Sequence, residues 1–445
     1  MMKYPFCCNF LALEAPLKNN AVTSEDGRIT VTWRKVIVCA LITVVGFNLR
    51  SVILGVPPVL PLIQHDLGLS YSATGLLTAL PVLVLGGAAL PAGLLAERIG
   101  PRACVSMGLV LLGTGTLLRA LWPTALSLFL FTFLLSLGIA VTQTAIPILA
   151  RRWFPAQIGL VAALFSDGLI IGEAVAAGVT LPIMVRFLGR DAWTASFVFW
   201  GVPVVGLLVL WLWLAPPAPA RTPGKPSSSE SITASTTASS SAPPVKRTRV
   251  NALHLGIMLG AGSLIYFGMN GWIASYNQAM HYANLTPLAL VILNAAQLPV
   301  SLAITLFAQQ LAGRRWPFIA SGTICAISIA GWVFTPAVLE PFWAALLGGS
   351  SALVFTRGIA LPPLLASHDQ VARLTGTTLS LTYGVAFVGP FIGGALWDLL
   401  HVPAVAFLPV AMASITLIIL GALLPSRTSF GLAVEAEHTD KKVLR

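Results

Sequence analysis

Two basic and two acidic side chains lie deep inside long apolar stretches of this sequence, and they are its strongest candidates for chemistry. Arg50 lies in the first stretch, Asp167 and Glu173 in the fifth, and Arg357 in the tenth. A guanidinium is a permanent cation whose fixed fork of donors suits anions, and a carboxylate can bind and release a proton. We therefore expect anion binding at the arginines and proton exchange at the acids. A second interpretation of Arg50 is structural, because a buried arginine also ties helices together.

The composition indicates a membrane protein. Of the 445 residues, 56% are hydrophobic and 9% are charged, whereas ~25% of the residues of an average soluble domain are charged. The net charge of +11 does not indicate nucleic-acid binding, because the basic residues are spread over short loops and tails. The lipid bilayer is therefore the expected surrounding, and no nucleic-acid partner is expected.

Twelve apolar runs are long enough to cross a bilayer, which takes ~20 residues of helix. They lie at approximately 34–60, 73–96, 103–121, 125–149, 158–184, 193–214, 252–277, 285–309, 317–335, 342–366, 374–399 and 404–424. We predict an all-α membrane protein with twelve transmembrane helices. The boundary between the third and fourth runs is the least distinct, because only "WPT" at 122–124 separates them.

The distribution of positive charge predicts the orientation of these helices. With the N-terminus in the cytoplasm, 21 of the 26 Lys and Arg residues lie in cytoplasmic loops and tails, as the positive-inside rule requires. Arg119 then falls at the outer side of the membrane. The N-terminal tail at 1–32 and the C-terminal tail at 425–445 are both predicted to be cytoplasmic.

The chain divides into two similar halves. A Pro-, Ser- and Thr-rich segment at 215–251 is too polar to bury a core and is predicted to be a disordered cytoplasmic linker. It separates six runs in 33–214 from six in 252–424. "GLIIGEAVAAG" around Gly172 resembles "GVAFVGPFIGG" around Gly389, which indicates duplication. Substrate in such two-half architectures binds near the midplane between the halves.

Helix geometry places the four buried charges on two levels. At ~1.5 Å per residue, Arg50 and Glu173 both lie ~23 Å from the inner ends of their runs, and Asp167 and Arg357 lie about 10 Å closer to the cytoplasm. In one interpretation each level is an ion pair that only stabilises the bundle. In the other, a substrate anion competes with Glu173 for Arg50, Glu173 is the protonation switch, and the deeper pair gates the inner side.

Two motifs resemble those of a known transporter family. The loop "GLLAERIGPR" at 93–102 resembles the G-x-L-x-D-R-x-G-R-R loop of the major facilitator superfamily, with Glu97 in place of Asp and Pro101 in place of Arg. "GVAFVGPFIGG" at 384–394 resembles that family's G-x-x-x-G-P-x-x-G-G helix, in which small residues pack closely and Pro390 bends the helix. The resemblance implies the major facilitator fold, with two pseudo-symmetric six-helix halves that move a solute by alternating access.

The first motif also implies a conformational latch. A glycine there permits close helix approach, and an acid and arginines pair across helix ends in one conformation. The predicted latch residues are Gly93, Glu97, Arg98, Gly100 and Arg102.

Three further segments resemble the cyanate and 2-nitroimidazole transporter group of this superfamily, namely "NLRSVILGVPPVLPLI", "LSYSATGLLTALPVLVLGG" and "ARLTGTTLSLTYGVAFVGPFIGG". The resemblance implies a secondary carrier, facilitated or proton-coupled, for a small polar or anionic solute such as cyanate, with Arg50 in its cavity. Efflux of a drug-like or nitroaromatic compound is the alternative. The chain departs from this group at Arg357, Asp167 and Glu173, so neither substrate carries over directly.

Six side chains are predicted to contact the substrate, and two are predicted to carry protons. Several of them have a second interpretation, because Asn and Gln also bond neighbouring helices and Trp also belongs to interface belts. The predicted substrate-binding residues are Arg50, Gln143, Tyr266, Asn270, Trp272 and Arg357, and the predicted proton carriers are Glu173 and Asp167.

The sequence does not indicate an enzyme. The six histidines lie near run ends or in tails, without the spacing of a metal site, and no nucleophile with a base stands out. A membrane sensor is the third class considered, but it would normally bring an output domain larger than these tails and linker. We expect no catalytic residue, metal or cofactor, and a monomeric multi-pass protein of the plasma membrane, in a bacterium the inner membrane.

Overall fold

The computed structural model describes residues 25–154, 157–183, 193–216, 252–306, 314–359, 361 and 371–424. Within these ranges the chain forms fourteen α-helices joined by short turns. They are α1 Glu25–Leu54, α2 Leu60–Leu67, α3 Tyr71–Ile99, α4 Pro101–Leu121, α5 Ala125–Trp153, α6 Ile158–Ile183, α7 Trp193–Leu214, α8 Ala252–Ala279, α9 Thr286–Ala295, α10 Gln297–Leu306, α11 Trp316–Phe334, α12 Glu340–Ile359, α13 Val371–Leu400 and α14 Leu408–Ala422.

The described helices provide twelve apolar segments long enough to cross a membrane, which confirms the predicted number. The first crossing combines α1 with α2, and the eighth combines α9 with α10. Most of the predicted linker, 217–251, lies outside the described residues, as does the predicted C-terminal tail at 425–445.

Local sequence explains several helix ends. Ser70 caps α3 by accepting a hydrogen bond from the backbone N–H of Ala73 at 3.1 Å. Thr124 caps α5 in the same way, and for this reason the short "WPT" is sufficient to separate two helices. The first helix starts earlier than the sequence predicts. α1 begins at Glu25, inside the segment 1–32 that is predicted to be a tail.

The helices form two bundles that meet along two seams. In the first bundle α1 packs on α6 and α4 packs on α5, and in the second α8 packs on α13 and α11 packs on α14. The bundles meet where α3 contacts α13 and where α6 contacts α9. The helices α3, α6, α9 and α13 belong to the second, fifth, eighth and eleventh crossings. If the two halves are exchanged, the second crossing takes the place of the eighth and the eleventh takes the place of the fifth. The two seams are therefore equivalent. This is the predicted pseudo-symmetric arrangement.

Glycines bring α3 and α13 close together. A Cβ atom on Gly75 would lie 2.2 Å from the carbonyl oxygen of Pro390, and one on Gly394 would lie 2.2 Å from that of Tyr71. Only glycine fits at such distances. The prediction that the small residues of "GVAFVGPFIGG" allow tight packing is therefore confirmed at this seam.

Asp398, near the end of α13, joins the two halves at one end of the seam. Its Oδ1 accepts a hydrogen bond from the Tyr71 backbone N–H at 2.8 Å, and its Oδ2 accepts from the Ser72 backbone N–H at 2.7 Å and from the Ser72 hydroxyl. A carboxylate is favourable at the N-terminus of a helix. The ring of Tyr71 also stacks on that of Trp397, with centroids 4.0 Å apart. The halves are thus closed at the end that the positive charges predict to be outside.

Candidate functional site

A cavity of about 710 Å³ lies between the two halves. Its lining begins at Arg50 and Glu173 and continues along α6 to Ala162 and along α10 to Leu302. It therefore extends from the middle of the bundle toward the predicted cytoplasmic end, away from the closure at Asp398. The other polar residues of the lining are Ser166, Asp167, Ser263, Tyr266, Gln297, Ser301, Ser351, Thr356 and Tyr383.

Arg50 and Glu173 form an ion pair at the head of the cavity. The Nε of Arg50 lies 3.3 Å from Oε1 of Glu173, and the residues are 7% and 4% exposed. The ion pair does not satisfy the donors of the guanidinium, because both Nε and Nη1 of Arg50 are buried and have no hydrogen-bond partner within the described ranges. Leaving a buried charged donor without an acceptor is costly. Arg50 therefore has unused capacity to bind an anion.

Two glycines of α6 determine how closely α1 and α6 cross. A Cβ atom on Gly168 would lie 2.2 Å from the carbonyl oxygen of Thr43, and one on Gly172 would lie 2.3 Å from that of Phe47. Glu173 directly follows Gly172, and Arg50 follows Phe47 by one helical turn. The close crossing of the two helices thus brings the two charged side chains together, which confirms the prediction that they share a level.

The second half of the molecule adds polar partners to this pair. Nε2 of Gln297 donates a hydrogen bond to Oε2 of Glu173 at 3.2 Å. The Tyr266 hydroxyl donates to Oδ1 of Asn294 at 2.5 Å, and Nδ2 of Asn294 donates to Oδ1 of Asn270 at 2.9 Å. The carboxylate of Glu173 consequently has one partner from each half, which couples it to their relative motion.

The structure brings half of the predicted site residues into the cavity wall. Arg50, Tyr266, Glu173 and Asp167 line it. Asn270 is absent from this lining and is linked to it through Asn294, which also bonds the lining residue Tyr266. The roles of these residues in binding remain predictions.

Three residues predicted to contact the substrate lie elsewhere. Trp272 is fully buried between Tyr71 and Trp397, with ring centroids 6.5 and 5.7 Å away, so the structure corrects its position to the closed outer end. Gln143 on α5 and Arg357 on α12 are not part of the lining either. The sequence showed that these residues lie inside apolar runs, but it did not show which side of each helix they occupy.

The deeper pair of charges is not formed in this structure. Asp167 is half-buried in the cavity wall and Arg357 is buried on α12, and the ion pairs of the described residues do not join them to each other. The gate hypothesis requires the two to meet only when the inner side closes. The gate therefore stays a prediction.

The two glycines of the predicted latch differ in how strongly the structure requires them. A Cβ atom on Gly93 would lie 3.8 Å from Cγ2 of Thr144, which is an ordinary contact, so close packing does not explain this glycine. Gly100 has a φ of +87°, a conformation that disfavours any side chain. It is needed for the turn between α3 and α4.

The charged residues of the latch are mostly open to their surroundings. Glu97 and Arg98 are exposed, and neither forms an ion pair with another described residue. Nη2 of Arg102 donates a hydrogen bond to the carbonyl oxygen of Leu212 at 3.1 Å, at the end of α7. The latch remains a prediction for another conformation.

Arg119 is a buried charge that sequence reasoning placed among the outer-side residues. It lies in the last turn of α4 and is 2% exposed. Its Cζ lies 4.3 Å from the ring centroid of Phe197, and its Nη1 lies 3.5 Å from the hydroxyl oxygen of Thr132. The available signal was its position inside the apolar run "LLRAL" rather than after it.

Comparison with protein families identifies the fold that holds this site. Residues 36–394 match the family model described as Major Facilitator Superfamily. The chain belongs to the Major Facilitator Superfamily. It is therefore a multi-pass membrane protein that carries a small solute by secondary transport rather than an enzyme, and a bacterial inner membrane is consistent with its relatives.

Two curated relatives have names that indicate what they carry. The chain is 26% identical to the cyanate transport protein CynX of Escherichia coli over 366 residues, covering 80% of this chain and 88% of the relative. It is 27% identical to the 2-nitroimidazole transporter of the same organism over 389 residues, covering 87% and 95%. These are the two substrates of the group that the sequence motifs resemble.

A solved structure supports the fold. The D-xylose-proton symporter matches with a TM-score of 0.66 at 13% sequence identity, over 87% of this chain and 96% of that one. At this identity the likeness concerns the arrangement of helices alone.

Proposed function

We propose that this superfamily member transports a small anion of the cyanate type and that Arg50 binds it. The observation that carries the proposal is the incomplete pairing of Arg50 with Glu173, which leaves Nε and Nη1 of Arg50 buried and without a hydrogen-bond partner in the described part of the chain. A small anion at the head of the cavity supplies the acceptors that this guanidinium lacks. The relation to CynX at 26% identity supports the same substrate class.

The proposed mechanism is a competition between the anion and Glu173 for Arg50. While Glu173 is ionised it occupies the arginine, and Gln297 holds its other oxygen. A proton on Glu173 removes the negative charge that holds it there, so the guanidinium becomes free for the anion. One proton and one monovalent anion then enter the site together.

Charge balance is the reason for coupling binding of the anion to binding of the proton. The empty site contains one cation and one carboxylate, and the loaded site contains one cation, one anion and a neutral acid. Both are neutral overall, and a neutral site avoids the penalty of an uncompensated charge when the cavity closes around it. Proton coupling is thus part of the proposal. The proposed transporting unit is a monomer, because one chain forms the whole cavity.

A larger solute is the second candidate, and the size of the cavity favours it. About 710 Å³ falls within the range of roughly 300–1,000 Å³ that is typical for drug-sized ligands. Much of the lining is apolar, including Ile170, Leu298 and Phe355. A nitroaromatic compound fits such a space better than a triatomic anion does, and the 2-nitroimidazole transporter is 27% identical to this chain.

Uptake by proteoliposomes distinguishes the two candidates. Purified protein would be tested with isotopically labelled cyanate and, separately, with labelled 2-nitroimidazole at two pH values. We expect saturable cyanate uptake that is faster at the lower external pH and is lost in Arg50→Gln. The control is Arg315→Gln, an exposed arginine bonded to the carbonyl oxygen of Ala422, which should transport normally. Transport of 2-nitroimidazole that is unaffected by Arg50→Gln, without cyanate uptake, would establish the second candidate instead.

A further inference from the structure

A second, smaller cavity lies between the halves on the other side of Phe267. Its volume is about 30 Å³, and since roughly 10–15 Å³ is needed for each water, it has space for two waters or for an anion of similar size. Arg119 and Thr132 line it from the first half, and Asn270 lines it from the second. The ring of Phe267 belongs to the linings of both cavities. Phe267 is the one described residue that the two linings share, so it lies between the small cavity and the large cavity at Arg50.

Arg119 lines the small cavity and has donors without a partner in the described part of the chain. Its Nε and Nη2 atoms are buried and have no hydrogen-bond partner among the described residues. The ion pairs found within the described ranges do not include it. Its contacts are the ring of Phe197 and the hydroxyl oxygen of Thr132. Within the described residues these contacts give the positive charge of a buried guanidinium no counter-charge, which is a costly arrangement inside a membrane protein.

We propose that Arg119 is a second anion-binding site, located on the outer side of Phe267, and that it takes a small monovalent anion no larger than nitrate. Nε and Nη2 donate to the anion, and Thr132, whose oxygen accepts from Nη1, has a hydroxyl proton to donate as well. The anion supplies the missing counter-charge. The site stands on its own geometry, and only the identity of the anion as a transported substrate rests on the proposed function.

The position of this site implies an order of events. When the end that Asp398 closes is open, an anion that enters there meets Arg119 first and reaches Arg50 after passing Phe267. The Cζ of Arg50 lies 5.9 Å from the ring centroid of Phe267, so the same ring borders the two guanidinium sites. Movement of this ring is then the step that transfers the anion from the outer site to the central one.

Nitrate is a suitable probe of the outer site, and thermal stability of the full-length purified protein is a suitable measurement, because a ligand that binds only the folded state stabilises it. Nitrate would replace gluconate at constant ionic strength. In Arg50→Gln, where the central site is disabled, we expect a saturable rise in melting temperature. This rise should be lost when Arg119→Gln is added and retained when Arg315→Gln is added instead. Equal nitrate responses in Arg50→Gln and in the Arg50→Gln, Arg119→Gln double variant would overturn the proposal.

A conservative variant keeps the test valid if Arg119→Gln does not fold. Arg119→Lys retains the charge but loses the planar fork, and it should weaken the nitrate response of Arg50→Gln at least tenfold in concentration. An unchanged response would again overturn the outer site. The result is independent of transport. If the wild type carries no anion while the nitrate response still depends on Arg119, the proposed function fails and the outer site stands.

The partition by Phe267 has its own test. A cysteine at Thr132, in a background without the native cysteines, would be exposed to a small thiol reagent from the cytoplasmic side of inside-out vesicles. We expect slow labelling with Phe267 present and labelling at least tenfold faster in Phe267→Ala, because the small side chain joins the two cavities. Equal rates in the two proteins would show that Phe267 is not the partition.

Discussion

Nε of Arg50 lies 3.3 Å from Oε1 of Glu173, yet neither Nε nor Nη1 of the arginine has a hydrogen-bond partner in the described ranges, although an arginine can bind a carboxylate through two parallel hydrogen bonds. The incomplete pairing matters because both side chains line the cavity between the halves. A pair that served only to hold α1 against α6 would gain from both hydrogen bonds. We therefore expect the arginine to exchange its carboxylate partner for a substrate.

Substitution of Arg50 by lysine should weaken substrate binding while it keeps the charge. Lysine offers a point charge without the planar fork, and the loss of one hydrogen bond to a charged group costs ~1.5–3 kcal/mol. At ~1.4 kcal/mol per tenfold, the apparent affinity for cyanate should fall about 10- to 100-fold. The concentration dependence of uptake measures this change. An unchanged affinity in Arg50→Lys would show that Arg50 does not orient the substrate.

The predicted gate between Asp167 and Arg357 concerns the opposite conformation. An ion pair that is made in one state and broken in the other biases the equilibrium by its differential energy, so neutralising either partner should favour the conformation described here. Labelling of a cysteine at Ala163, in the cavity wall, should then increase from the cytoplasmic side. The exchange of the two charges, Asp167→Arg with Arg357→Asp, should partly restore protection. If the exchange labels as fast as the single variants, the two residues are not a gate.

Substitution of Asp398 should favour the opposite, outward-open conformation, because Asp398 holds the outer end closed. Asp398→Asn loses the charge that accepts from Tyr71 and Ser72, and losing a charge-assisted bond of ~1.5–3 kcal/mol corresponds to a shift of roughly 10- to 100-fold toward the outward-open form. Labelling of a cysteine at Thr78 from outside should rise accordingly.

A matched control for this outer closure lies within the first half. Asp66 accepts a hydrogen bond from the indole of Trp193 at 2.6 Å, and both residues belong to the same bundle. Asp66→Asn should therefore leave the labelling of the Thr78 cysteine unaltered. If Asp66→Asn and Asp398→Asn increase it equally, the closure does not depend on the contact between the halves.

The close crossing of α1 and α6 predicts a strong difference between two glycines. A Cβ atom on Gly172 would lie 2.3 Å from the carbonyl oxygen of Phe47, whereas one on Gly87 would meet nothing within 4 Å. Overpacking of this kind costs ~1–3 kcal/mol. Thermal denaturation in detergent should therefore show a lower melting temperature for Gly172→Ala and no decrease for Gly87→Ala. Equal melting temperatures would contradict the assigned crossing distance.

The sequence was sufficient for the number of crossings and for the shared level of Arg50 and Glu173, because both follow from run length and from the rise of a helix. The sequence did not reveal that Trp272 and Arg357 lie outside the lining of the large cavity. A membrane helix is apolar on every face, so periodicity does not reveal which side meets the cavity. The position of Arg119 inside an apolar run indicated burial, but its contacts with Thr132 and Phe197 depend on the packing of the third crossing against the fourth and the sixth, which no local pattern records.

The central claim is that a substrate anion and Glu173 compete for Arg50, and the anion affinity of Glu173→Gln tests it most directly. Equilibrium binding of labelled cyanate to the purified protein would be measured across a range of pH. The wild type should bind more weakly as the pH rises, because deprotonated Glu173 competes more strongly. Glu173→Gln lacks the competing charge, so it should bind at least as tightly as the wild type does at low pH, without pH dependence, and it should retain cyanate exchange. Weaker binding in Glu173→Gln, or a pH profile that overlays that of the wild type, would contradict the account.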